Sequence, residues 1–61
     1  MPLVQVSLIE GRPTELEEQL IAELTDAVVR VLDAPRETVR VILCGVPAER
    51  WGVGGVSKAA R

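Results

Sequence analysis

Histidine, tyrosine and phenylalanine are absent from this 61-residue chain, and cysteine and tryptophan occur once each. Without histidine there is no Ser-His-Asp triad, no histidine-bound metal and no imidazole general base. Cys44 has no second cysteine for a disulfide and no histidine to activate it, so it reads as a small packing residue. Basic charge is also in short supply. Seven Lys and Arg face nine Asp and Glu, a formal net charge of −2, and the acids concentrate between Glu10 and Asp26, which argues against the clustered basic face of a nucleic-acid binder. No apolar run is long enough to span a membrane, and the N-terminal residues lack the basic region of a signal peptide, so the cytoplasm is the expected location. Gly52, Gly54 and Gly55 do not follow a strand and open a helix as a phosphate loop requires. No metal and no cofactor is expected.

What is present is barely enough for one small domain, spanning residues 1–61. Surface scaling gives about 9,600 Å² exposed in the unfolded chain and about 3,900 Å² in a folded one, so roughly 3,400 Å² of apolar area is buried if about 60% of the difference is apolar. At about 25 cal/mol per Å² this contributes roughly 85 kcal/mol, against an ordering cost of about 90 kcal/mol. With neither disulfide nor metal to add, self-association is the stabiliser that remains, and the chain is expected to be an obligate oligomer.

Along the chain, Val4, Val6 and Leu8 alternate with Gln5 and Ser7, which predicts a strand from Leu3 to Ile9 with one better-buried face. Glu10-Gly11-Arg12-Pro13 breaks it. Thr14-Glu15-Leu16-Glu17 has the form of a capping box, with Thr14 expected as the cap of a helix. Leu16, Leu20, Leu24, Ala27, Val28 and Val31, joined by Ile21 and Leu32, recur at three- and four-residue spacing and give that helix an apolar stripe. Asp33-Ala34-Pro35 should end it, because the residue before proline avoids the helical region. Val39-Arg40-Val41-Ile42-Leu43-Cys44 alternates again and reads as a second strand. Strand, helix and strand make a βαβ unit, with a right-handed crossover and parallel neighbouring strands. A loop over Gly45–Arg50 and a glycine-dense hairpin over Trp51–Val56 follow. The fold class is α/β, and the unit leaves one sheet face and both edges for other chains to cover.

Four residues could carry chemistry. Pro2 has an ordinary reading as the first residue of a strand. If Met1 is trimmed, it becomes instead a secondary amine that can act as a general base, provided burial and nearby cations bring its pKa towards neutrality. Arg12 is otherwise a solvated turn residue. Arg40 interrupts an apolar strand, so it must be paired, face solvent or line a site. Six of the seven basic residues are arginine, and two guanidinium forks would hold a dicarboxylate. Trp51 is either an anchor of the oligomer core or the apolar wall of a pocket.

Pro2 after the initiator, Leu8-Ile9-Glu10-Gly11-Arg12, Leu32-Asp33-Ala34-Pro35, Val39-Arg40-Val41-Ile42 and Trp51-Gly52-Val53-Gly54-Gly55, in this order, resemble the 4-oxalocrotonate tautomerase family of the tautomerase superfamily. The resemblance implies a βαβ chain with a small C-terminal hairpin, assembled as a homohexamer, a trimer of dimers, whose sites are shared between chains. It implies that Pro2 is the base of an enol–keto tautomerase acting on a small unsaturated 2-hydroxy dicarboxylate such as 2-hydroxymuconate, a compound type of aromatic breakdown. Arg12 and Arg40 match the arginines that hold the carboxylates and polarise the developing 2-oxo group, and Leu8 and Val46 match positions lining the pocket. Trp51 stands where the best-known members have phenylalanine, which bears on the substrate. The haloacrylate dehalogenases of the superfamily carry a second arginine before the Gly-Arg turn, where this chain has Ile9, and an acid that Trp51-Gly52 does not supply. Two other readings stand beside the enzyme: a non-catalytic oligomeric scaffold, and one chain of a hetero-oligomeric hydratase- or dehalogenase-like assembly.

Overall fold

The computed structural model describes residues 2–60, in the order strand β1 (Leu3–Ile9), helix α1 (Thr14–Leu32), strand β2 (Arg40–Val46), and a hairpin of β3 (Gly52–Val53) and β4 (Val56–Ser57), with single 3-10 turns at Arg36–Thr38, Ala48–Arg50 and Lys58–Ala60. Strands β1 and β2 are parallel, in register from Leu3↔Arg40 to Ile9↔Val46. The alternation read from the sequence holds on both. Val4, Val6, Leu8, Val41 and Leu43 are half-buried on the helix side, while Leu3, Gln5, Ser7, Arg40, Ile42 and Cys44 are exposed on the other face. Cys44, expected to be buried, therefore lies on a bare surface in the single chain.

The helix begins differently from the capping-box reading and stops after Leu32, at the Asp33-Ala34-Pro35 segment expected to end it. Pro13 occupies the cap position in extended geometry, φ −62° and ψ 148°, and its carbonyl accepts from the amides of Leu16 and Glu17 at 3.1 and 3.3 Å. Thr14 is thereby the first helical residue, and no side-chain oxygen caps the helix. At the other end Asp33 turns left-handed, φ 53° and ψ 40°, two residues ahead of Pro35. A short polar side chain tolerates that conformation better than most, so Asp33 itself reverses the chain.

One helix about 10 Å across can cover one face of a sheet that is two strands, or roughly 10 Å, wide. The opposite face has no cover, and part of the stripe overhangs. Among the described residues none is fully buried, and Leu16, Val31 and Leu32 remain 53%, 72% and 63% exposed. The accessible surface of 4590 Å² exceeds the roughly 3,900 Å² of a compact monomer this size. The radius of gyration is 14.4 Å and the extents are 43 × 24 × 14 Å, where a globule of this length would have a radius near 10.5 Å. No helix among the described residues is long and apolar enough to cross a membrane.

Candidate active site

Pro2 and Arg40 meet at one end of the sheet. The Arg40 amide donates to the Pro2 carbonyl at 3.0 Å, continuing the ladder one step beyond the Leu3↔Arg40 rung. Pro2 is half-buried, and its missing amide hydrogen costs nothing at a strand's first position. Arg40 lies on the open face. Its Nη1 donates to the Glu37 carbonyl at 2.9 Å and makes a longer contact with the Val39 carbonyl at 3.5 Å. Since a guanidinium carries five N–H donors, this arrangement steers the side chain and leaves most of the fork free for a carboxylate or oxyanion. The Glu37 carbonyl has no sequence signature beyond the three-residue turn after Pro35. Asp26 and Arg36, 2.7 Å apart between Oδ1 and Nη2, are likewise ten positions apart and follow no helical spacing. Met1, on whose removal the amine of Pro2 depends, falls outside the described residues, as does Arg61.

The opposite end carries the other candidates. Ile9 pairs with Val46, Leu8 with Gly45, and the Glu10 amide donates to the Val46 carbonyl at 3.0 Å. Gly11 takes φ 121°, a conformation a side chain would strain, and the turn it makes lets Arg12 fold back so that Nη1 donates to the Ile9 carbonyl at 2.6 Å. Leu8 and Val46 are half-buried there. Beyond Val46, Pro47 and the turn Ala48–Arg50 lead to Trp51, also half-buried. The Trp51 amide donates to the Ala48 carbonyl at 3.1 Å and its carbonyl accepts from the Lys58 amide at 2.8 Å, so the turn before it and the segment after the hairpin both hold the tryptophan backbone. Gly54 and Gly55, at φ 61° and 85°, form the two-residue turn with both central angles positive that suits a right-twisted hairpin.

Six residue steps separate Leu3 from Ile9, about 20 Å at roughly 3.3 Å per residue. The chain thus holds two half-sites, an amine position with one cation and, a strand length away, a second cation with apolar walls. It does not bring Pro2 together with Arg12 or with the Trp51 side of the fold, and the described residues enclose no pocket.

Comparison with known proteins fits this architecture. A family model described as "Tautomerase enzyme" matches residues 2–61. A Ralstonia nicotianae protein named "Probable tautomerase" is 60% identical over 60 residues, covering 98% of this chain and 86% of its own length. A 2-hydroxymuconate tautomerase of Stutzerimonas stutzeri is 45% identical, covering 98% and 95%. Among solved structures, a 4-oxalocrotonate tautomerase homologue of the tomaymycin biosynthetic pathway superposes with a TM-score of 0.96 at 47% identity, covering 98% and 92%. The structural neighbours include a heterohexameric 4-oxalocrotonate tautomerase from Chloroflexus aurantiacus.

Proposed function

The chain belongs to the tautomerase family and is an isomerase of the 4-oxalocrotonate tautomerase type, and we propose that it interconverts the enol and keto forms of a small unsaturated 2-hydroxy dicarboxylate such as 2-hydroxymuconate. The observation that supports this reading is the hydrogen bond from the Arg40 amide to the Pro2 carbonyl at 3.0 Å, one step beyond the Leu3↔Arg40 rung, which brings the backbones of the candidate base and the candidate cation together at one end of the sheet. With Met1 removed, Pro2 has a secondary amine; a neighbouring cation and partial burial both favour its neutral, basic form. That nitrogen takes the proton of the 2-hydroxyl group and returns one to a distant carbon of the dienol, so the product is the conjugated 2-oxo acid and nothing is consumed. Arg40 stabilises the negative charge that develops on the 2-oxygen, an electrostatic role of the oxyanion type.

The far carboxylate needs a second cation, and Arg12 of the same chain is a strand length away. A second copy of the chain therefore supplies Arg12, together with Trp51, Leu8 and Val46 as apolar walls that exclude water and raise the strength of the charge contacts. The bare sheet face and overhanging helix stripe favour such an assembly, a homohexamer by analogy with the family. The reading places one tautomerase-like domain over residues 1–61, working in the cytoplasm. The relative named for 2-hydroxymuconate supports the substrate class.

The test is the initial rate of ketonisation of 2-hydroxymuconate, followed by ultraviolet absorbance, with protein whose intact mass shows Met1 to be absent. Pro2→Ala should lower kcat/KM by about a hundredfold or more, the usual range for removing a positioned general base. An unchanged rate after Pro2→Ala, or full activity in a chain that retains Met1, would refute the mechanism.

A further inference from the structure

The carbonyl that aims Arg40 belongs to a short segment whose own hydrogen bonds are all local. In the turn Arg36–Thr38, the Thr38 amide and hydroxyl donate to the Pro35 carbonyl at 3.0 and 2.7 Å, and the Val39 amide donates to the Arg36 carbonyl at 3.2 Å. These bonds set the turn's internal shape. They do not set where it lies against the helix. A side-chain tie to the helix comes from the ion pair, in which Arg36 at the head of the turn reaches back to Asp26 in the third quarter of α1 at 2.7 Å. The reversal at Asp33 is what makes this contact geometrically available. A continuous path of contacts then runs from the helix through Asp26, Arg36 and the turn to the Glu37 carbonyl, and from there at 2.9 Å to the Arg40 guanidinium.

We propose that Asp26 and Arg36 are positioning residues for Arg40, holding the turn so that the Glu37 carbonyl directs the guanidinium towards the substrate's developing 2-oxo group. This rests on the reading of Arg40 as a substrate-contacting group. The pair is more than half exposed on both sides, 58% and 51%, and exposed pairs of this kind add little to stability. Its loss should leave fold and assembly intact while loosening the aim of Arg40, and small misplacements of a charge-stabilising group are costly to rate.

The experiment is a double-mutant cycle on the assembled enzyme with 2-hydroxymuconate as substrate. Asp26→Asn and Arg36→Gln should each lower kcat/KM about threefold to tenfold with thermal midpoint and oligomeric mass unchanged. Exchanging the charges, Asp26→Arg together with Arg36→Asp, should recover most of the loss. In an Arg40→Gln background, Asp26→Asn should have no further effect, whereas a merely structural role would give the same fold-loss in both backgrounds. Wild-type rates in the single variants, or equal losses with and without Arg40, would overturn the proposal. If Arg40→Gln alone leaves kcat/KM unchanged, the substrate-binding role of Arg40 fails first, and the positioning role falls with it.

Discussion

Replacing Ile42 by aspartate sets a carboxylate in the middle of the bare sheet face, opposite Gln5 on β1. Ile42 is 44% exposed in the single chain. Burying an isoleucine side chain completely contributes about 1.5–3 kcal/mol, so sealing the remaining fraction against a second copy contributes about 1 kcal/mol per chain. A symmetric contact counts the residue twice, giving about 2 kcal/mol, and an unpaired carboxylate stranded in an apolar contact adds at least roughly 3 kcal/mol. Together these weaken association by about three orders of magnitude or more in dissociation constant. Sedimentation velocity at micromolar concentration should then show the mass of a single chain, or an unfolded one, and ketonisation activity should fall in step with the loss of assembly. An Ile42→Asp protein that keeps the wild-type oligomeric mass would refute the claim that this face is covered by another copy. A dissociated, folded Ile42→Asp chain with full kcat/KM would refute the division of the site between copies.

Other substitutions probe the halves separately. Arg12→Gln removes a bidentate, charge-assisted contact, for which about 3 kcal/mol is reasonable, so kcat/KM for a dicarboxylate should fall roughly a hundredfold. The loss should be much smaller for an analogue lacking the far carboxylate; equal losses on both substrates would argue against Arg12 as its partner. At Gly55, φ is 85° and a methyl group would meet nothing within 4 Å. Gly55→Ala should therefore cost about 1–2 kcal/mol through backbone strain alone, read as a lowered melting midpoint at fixed protein concentration. Gly52→Ala, equally free of contacts but without a positive φ, should cost distinctly less, and similar shifts in the two variants would contradict the turn geometry.

Much of the fold could be read from residue order because its signals are periodic. Alternation located β1 to the residue, the three- and four-residue spacing located α1, and paired glycines located the hairpin turn. The misreadings fall where one local contact decides the backbone. Thr14 with Glu17 satisfies the pattern of a capping box, yet the extended Pro13 carbonyl accepts the first helical amides instead. Pro35 announced that the helix must stop, but Asp33 in the left-handed region is what stops it. Strand β2 also runs on through Gly45 and Val46, held by pairing to Leu8 and Ile9, a long-range contact that composition does not reveal. The site candidates were visible as residue types. The separation of Pro2 from Arg12 follows from the strand between them, but which residues of β2 join each end was not visible, because it depends on the register of β2 against β1. The Asp26–Arg36 pair left no trace in spacing, since it depends on the chain reversing after the helix.

The strand length between Pro2 and Arg12 has a genetic consequence. If each working centre takes Pro2 from one chain and Arg12 from another, two different inactive variants can rescue each other. Mixing chains altered at Pro2 with chains altered at Arg12 and letting them assemble together yields some centres that draw both intact groups, whereas a chain carrying both changes yields none. The unit that is active or inactive, and on which selection acts, is then the contact between chains, so a harmful substitution in one copy of the sequence is partly masked wherever a second, different copy is made in the same cell.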